Sequence, residues 1–260
     1  MIKQIQHIAR FIRYLLKAKH RKGYGVHSPF SFDIITNVFE ENNQYYIYSK
    51  VEKIREELLS NNSTIDVLDF GTGDSGKRKI SEIASRSLKK RKYAQLLFRL
   101  VNACNPDSII ELGTSLGITT AYLASANSKS KVYSFEGCPQ IASIANTVLE
   151  KCNIENVTLC IGNIDNNLPD VLETLEKVDF VFFDANHTKR ATLNYFYLCL
   201  NKVSEKTVFV FDDIHYSKEM EQAWNEIKNY KGISVSYDLF TLGIVFFNQQ
   251  LKKQDYTLLF

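Results

Sequence analysis

Apolar residues recur at three- and four-residue spacing from the start of the chain. Ile2, Ile5, Ile8, Ile12, Leu15 and Leu16 fall on one stripe of a predicted first helix. The stretch GYGVHSPF then breaks the pattern with Gly23, Gly25 and Pro29, and SFDIITNVFEE and VEKIREELLS read as two further helices. In TIDVLDF, Ile65, Val67 and Leu68 are interleaved with carboxylates, which reads as a short strand running into a glycine stretch.

Near residue 93 the pattern becomes a regular alternation. Helices are predicted over 92–103, 118–126, 140–152, 169–177, 190–203 and 218–229, and strands over 108–112, 131–137, 157–163, 178–185, 207–213, 233–240 and 243–248. Strands separated by helices of this length imply a parallel sheet covered on both faces. The last two strands lie only a few residues apart around Thr241, Leu242 and Gly243, so they should pair antiparallel. The expected fold is α/β: a doubly wound, Rossmann-like, mostly parallel seven-stranded sheet with a C-terminal antiparallel hairpin. A mainly helical, basic N-terminal appendage over 1–92, with a short strand and a glycine loop, precedes this core over 93–260.

Composition narrows the setting. At 45% hydrophobic and 23% charged, the 260 residues are ordinary globular material. No apolar run approaches the ~20 residues of a membrane span, and the start of the chain lacks the unbroken apolar segment of a secretory signal, so a cytoplasmic protein is expected. Cys104, Cys138, Cys152, Cys160 and Cys199 are scattered and odd in number, which favours reduced thiols over a disulfide framework or a zinc knuckle.

Charge is uneven although its net is only +3. Residues 1–32 hold no acid but contain Lys3, Arg10, Arg13, Lys17, Lys19, Arg21 and Lys22. A second basic group comprises Lys77, Arg78, Lys79, Arg86, Lys89, Lys90, Arg91 and Lys92. Such groups attract phosphates, nucleic acid or anionic membrane, and a solvated helix face is the plain alternative. The apolar stripe of the first helix is expected to be core or a homodimer interface, ahead of a peripheral membrane anchor.

Two glycine stretches compete for the role of cofactor loop, VLDFGTGDSGKR and IIELGTSLGITTAYLA. Ligands in open parallel sheets bind at the carboxyl ends of strands, with an acidic residue about 20 positions after the first glycine turn. Gly113 and Gly117 follow a strand and open a helix, and Glu136 ends the next strand. The first stretch has P-loop spacing at Gly71, Gly76 and Lys77, but Arg78 stands where magnesium needs a hydroxyl. The second stretch is therefore the expected cofactor site, and the first a turn or wall of the appendage.

Glu111-Leu112-Gly113-Thr114-Ser115-Leu116-Gly117 has no G-x-G dinucleotide signature. It resembles the first motif of class I S-adenosylmethionine-dependent methyltransferases, with Ser115 in place of the middle glycine. ELGTSLGITTAYLA is similar to the catechol and caffeoyl-CoA type of O-methyltransferase, and the resemblance runs from about Lys92 to Asn248. It implies that Glu136 holds the cofactor ribose, that Gly162, Asn163, Ile164 and Asp165 flank the adenine, and that Leu112, Gly113 and Thr114 line the methionine end. Glu111 would be the motif's acid, facing the ammonium group. Asn and Asp also form turns on their own account, which is the plain reading of Asn163 and Asp165.

VDFVFFDANHTKR brings Asp184, Asn186 and His187 to one strand end, and TVFVFDDIHYS brings Asp212, Asp213 and His215 to the neighbouring one. Carboxylates at two adjacent strand ends suggest a hard cation such as Mg²⁺. In the resembled enzymes a divalent metal is held by an Asp after the fourth strand and an Asp-Asn pair after the fifth. Asp184 and Asp212 match, and Asp213 replaces the Asn. The alternatives are that Asp184 and Asp212 cap the following helices or that Asp184 touches the cofactor. His187 and His215 are the candidate general bases, and Lys189 is a weaker candidate at a different spacing from the family's lysine.

The expected activity is methylation of a small-molecule hydroxyl. RNA methylation using the basic appendage and a non-catalytic cofactor-binding module are the alternatives. Against RNA, the basic residues are not interleaved with an aromatic stacking platform. Tyr24, His27, Ser28 and Phe30 would face an acceptor, or merely join two helices.

Overall fold

The structure, a computed structural model of the chain, describes residues 2–19, 21–68 and 75–260, with the backbone alone for residues 2–5 and 21. Gly71, within the first glycine stretch, lies outside the described residues, as do the side chains of Ile2, Lys3, Ile5 and Arg21.

Helix α1 (Ile2–Lys17) is followed by a 3-10 turn (Arg21–Gly23) and α2 (Pro29–Ile34), which runs on as a π-helical turn (Ile35–Phe39). Next come α3 (Tyr48–Ser60), β1 (Thr64–Val67), β2 (Gly76–Lys79), α4 (Ile80–Ser87) and α5 (Arg91–Cys104). Alternation then sets in with β3 (Ser108–Leu112), α6 (Ile118–Ala126), β4 (Lys131–Glu136), α7 (Pro139–Cys152), β5 (Val157–Ile161) and α8 (Ile164–Thr174). It continues through β6 (Phe180–Phe183), α9 (Lys189–Leu200), β7 (Val208–Asp212) and α10 (Lys218–Lys228), and ends in β8 (Val235–Asp238), β9 (Leu242–Phe246) and β10 (Gln254–Thr257).

The α/β class and the mostly parallel Rossmann-like sheet are as expected, with eight strands where seven were expected. The additional strand is β10, whose QDYT carries no apolar run and forms by pairing parallel to β8. Three element boundaries also differ from the expected ones. In KRKISEIASRS, which reads as a helix from its sequence, the first three residues belong to the strand Gly76–Lys79, because it pairs antiparallel with β1, setting Lys77 opposite Asp66. Helix α8 begins at Ile164 and contains Pro169, because the Asn163 side chain accepts from the Asp165 amide and caps it earlier than the proline suggested. The segment 31–41 changes from α- to π-helical turns at Ile35.

The chain forms two compact units, Asn42–Glu176 and the pair of segments Met1–Glu41 and Lys177–Phe260. In the first of these, β3, β4 and β5 are parallel neighbours, with Leu112 opposite Phe135 and Glu136 opposite Ile161. Tyr48, Val51, Phe98, Ala121, Tyr122 and Leu149 are among its buried core residues. Tyr48 meets Phe98 edge to face at 5.2 Å, a geometry that aromatic quadrupoles favour.

In the two-segment unit, β6 and β7 are parallel, β9 is antiparallel to both β7 and β8, and the expected terminal hairpin is present, with Val235 opposite Phe246. FVFF of β6 and VFVFD of β7 are buried throughout, which is why they read as nearly continuous apolar runs. Gly243 is required by its neighbour: a Cβ there would lie 2.6 Å from the ring of Trp224.

Of the two expectations for the α1 stripe, core or homodimer interface, the first does not hold for its described side chains. The buried residue of the helix is Tyr14, which donates to the Leu258 carbonyl, whereas Ile8, Ile12, Leu15 and Leu16 are exposed. No described helix is long and apolar enough to cross a membrane. All five cysteines are free.

Candidate active site

The second glycine stretch forms a tight turn at the carboxyl end of β3. Gly113 has φ +106°, and the amides of Gly113 and Thr114 both donate to the Phe135 carbonyl, at 3.1 and 3.0 Å. Ser115 has φ +49°, the left-handed region where glycine is the default residue. Gly117, at φ +81°, opens α6, and a Cβ there would lie 3.0 Å from Cα and Cβ of Ala145 in α7. Glycine is thus needed at 117 twice, for backbone conformation and for helix packing.

Glu136, the last residue of β4, reaches back to this turn. Its Oε2 accepts from the Ser115 amide and its Oε1 from the Cys138 amide, both at 2.9 Å. The amide of Gly162, at φ +125° after β5, donates to the Glu136 carbonyl at 2.8 Å. Three strand ends therefore meet at Glu136, the expected ribose-binding residue, two through its carboxylate and one through its main-chain carbonyl. Ser87 at the end of α4 meets Ser115, hydroxyl to hydroxyl, at 2.7 Å.

Glu111 lies beneath the turn and is fully buried. Its Oε2 accepts from the hydroxyls of Thr120 at 2.5 Å and Ser134 at 2.6 Å, and Thr114 meets the Ser134 hydroxyl at 2.5 Å. Oε1 of Glu111 is buried and has no hydrogen-bond partner among the described residues. Burial pushes this carboxyl up to about 7, against the pull of the Ser134 and Thr120 hydrogen bonds. Leu112 is buried beside it. Ser134 and Thr120 were not among the sequence candidates, although Ser134 precedes Glu136 by two residues and so faces the same side of β4.

Asn163 is committed to capping α8, with Ile164 buried and Asp165 exposed in the first turn. The turn-forming reading of Asn163 thus describes what its side chain does.

In the two-segment unit, ligand-capable atoms of Asp184, His187 and Asp212 all lie within 4.8 Å of one another. His187 Nε2 lies 3.6 Å from Asp184 Oδ1. Asp212 is buried, and the following helices are capped by Thr188 and Ser217, so neither aspartate serves as their cap. Asp213, at φ +54°, is not part of the group, and His187 takes the third place instead. Asn186, at φ +50°, donates to the Tyr195 hydroxyl at 2.9 Å, and Lys189 pairs with Glu226 at 3.1 Å.

His215 is held elsewhere. Its Nδ1 meets Glu221 at 3.1 Å, its Nε2 meets Asp238 at 2.9 Å, and its ring stacks on Phe240 with centroids 5.2 Å apart. Burial alone would lower its pKa, but the carboxylates of Asp238 and Glu221 raise it. Both ring nitrogens are engaged, so His215 has none to offer a substrate. Of the linker residues, Ser28 caps α2, Phe30 packs edge-on against Phe246 at 5.1 Å, and Tyr24 and His27 are exposed.

Residues 110–214 match the methyltransferase domain family. No curated protein matches the chain. Solved structures share its fold at low identity. An O-methyltransferase from Bacillus cereus, in complex with S-adenosylhomocysteine, is 17% identical with a TM-score of 0.56, over 78% of this chain and 92% of that one. The O-methyltransferase TomG from Streptomyces achromogenes, involved in tomaymycin synthesis and in complex with S-adenosylmethionine, is 16% identical with a TM-score of 0.55, over 79% and 91%. A Staphylococcus aureus protein described as a candidate caffeoyl-CoA O-methyltransferase is 18% identical with a TM-score of 0.56, over 64% and 88%. Residues 110–214 thus resemble a methyltransferase domain, and the chain shares the fold of these solved O-methyltransferases.

Proposed function

We propose that the protein transfers a methyl group from S-adenosylmethionine to a hydroxyl of a small molecule. The observation that carries this reading is the junction of Glu136 with the Ser115 amide: an acid at the end of β4, fixed against the glycine turn after β3. In this reading Glu136 accepts from the ribose hydroxyls and the 113–117 backbone borders the methionine end. The unpartnered Oε1 of Glu111 is an acceptor for the cofactor's ammonium group. Gly162 and Ile164 border the adenine.

Methyl transfer is an in-line displacement. The acceptor oxygen bonds to the methyl carbon, the carbon–sulfur bond breaks with its electron pair going to sulfur, and the hydroxyl proton departs. Alignment of the two reactants contributes roughly 7–11 kcal/mol in well-oriented systems. Asp184, His187 and Asp212 are the acceptor-side residues of this proposal. Two carboxylates and an imidazole form a donor set that suits a divalent cation of the manganese-to-zinc kind as well as magnesium. A cation there would lower the pKa of the acceptor hydroxyl. A second reading rests on the His187–Asp184 pair, in which His187 takes the proton and Asp184 orients its ring.

Calorimetric titration with S-adenosylhomocysteine, with Mn²⁺ and again with a chelator, tests the proposal. Micromolar binding that Glu136→Ala weakens supports the cofactor site, and no binding in either buffer would overturn it. A fall in turnover under chelation, with binding unchanged, selects the metal over His187 as the activating group.

A further inference from the structure

Helix α1 packs on its own unit through one side and leaves the other exposed. The side that packs on its own unit is narrow and partly polar. Tyr14 donates to the Leu258 carbonyl, and Arg10 donates to the carbonyls of His215 and Tyr216 at 3.1 and 3.0 Å. His7, Phe11 and Tyr14 surround the ring of Phe240, with centroids 5.3, 4.9 and 5.1 Å away. The opposite side is apolar and uncovered. Ile8 is 57% exposed, Ile12 52%, Leu15 42% and Leu16 79%. At 3.6 residues per turn these four occupy an arc of about 100°, and beyond its Leu16 edge the exposed Arg13 follows at about 60° and Lys17 at about 100°.

An apolar strip of this size on a helix needs a cover, and charge selects which. Residues 1–32 carry seven lysines and arginines and no acid, so a second α1 would bring the same cations and no carboxylate to pair with them. An anionic surface satisfies both halves of the helix at once. The helix has 16 residues, so it can lie along a bilayer but not cross it. We propose that α1 is an interfacial helix that seats the protein on anionic phospholipid, with Ile8, Ile12, Leu15 and Leu16 among the acyl chains and Arg13 and Lys17 at the phosphates. This docking does not depend on the methyltransferase reading.

Flotation of the full-length protein with phosphatidylcholine vesicles, and with vesicles in which roughly a third of the lipid is phosphatidylglycerol, tests it. The protein should float with the anionic vesicles and remain behind with the neutral ones. Ile12→Glu/Leu16→Glu should abolish flotation, and Arg13→Gln/Lys17→Gln should lower the partition coefficient ~30-fold, from about 1 kcal/mol per cation near the surface. All four side chains are exposed, and an unchanged circular dichroism melt confirms folding. Absence of flotation with anionic vesicles overturns the proposal, as does flotation that survives Ile12→Glu/Leu16→Glu. A dimer in light scattering that this double variant converts to monomer, without vesicle binding, would show that a second copy covers the strip and also overturns it.

Discussion

The carboxylate of Glu136 is tied to the amide of Ser115 at 2.9 Å, so the acid at the end of one strand and the glycine turn after its neighbour are a single hydrogen-bonded unit. Glu136→Ala removes this bond, the one to Cys138 and the proposed ribose acceptor together. Hydrogen bonds to charged groups are worth about 1.5–3 kcal/mol, so affinity for S-adenosylhomocysteine should fall roughly 10- to 100-fold, as read by calorimetry. Unchanged affinity would refute the cofactor assignment.

Gly117→Ala should destabilise the fold by about 2–3 kcal/mol, because alanine is strained at positive φ and its methyl meets Ala145. Urea denaturation reads the change. Adding Ala145→Gly should recover only part of it, since the backbone of residue 145 also lies within 3.1 Å of the new Cβ and the φ strain persists.

Glu111 gives stability a slope with pH. Its carboxyl is raised by burial from 4.5 to about 7, so the folded state holds the proton more tightly than the unfolded chain. That contribution is fully present below pH 4.5 and is lost as pH rises through about 7. It amounts to about 3 kcal/mol at most. Thermal melts of Glu111→Gln should lack this decline, and an identical pH dependence in the variant would contradict it.

For His215 the linkage runs in the same direction and over a more alkaline range. Its pKa is raised above 6.5 by Asp238 and Glu221, against burial, so its stabilisation is present below 6.5 and disappears as pH rises through the raised value. Asp238→Asn should flatten that loss, and the titration of the His215 ring by NMR should shift downward.

Turnover separates the two histidines. His187→Ala should lower methyl transfer at least 100-fold while leaving S-adenosylhomocysteine affinity within about twofold. His215→Ala should lower the melting temperature and leave turnover per folded molecule close to wild type. Equal losses of turnover in both variants would contradict the separation.

The alternating core was legible in sequence because its strands are nearly all apolar and its helices, except the buried α6, carry one wet face. β10 was not, since Gln254, Asp255, Tyr256 and Thr257 acquire strand structure only through β8. β2 was missed for the same reason: GKRK has strand geometry because β1 lies beside it. At the site, Gly113, Gly117 and Glu136 could be read because backbone strain and strand ends restrict residue choice. The different surroundings of His187 and His215 could not, because they depend on Asp238, 23 residues beyond His215, and on the approach of His187 to Asp184 and Asp212. The stripe of α1 shows the limit of periodicity, which fixes a face without saying what meets it.

Tyr14 is joined to Leu258, and the Lys19 amide donates to Thr257 at 2.9 Å. Helix α1 is therefore held by segments far along the chain, at His215, Tyr216 and Phe240 and again at Leu258, 244 positions after Tyr14. A nick between Thr257 and Leu258 would part the Tyr14 hydroxyl from that carbonyl, so proteolysis there should loosen α1 before the rest of its unit.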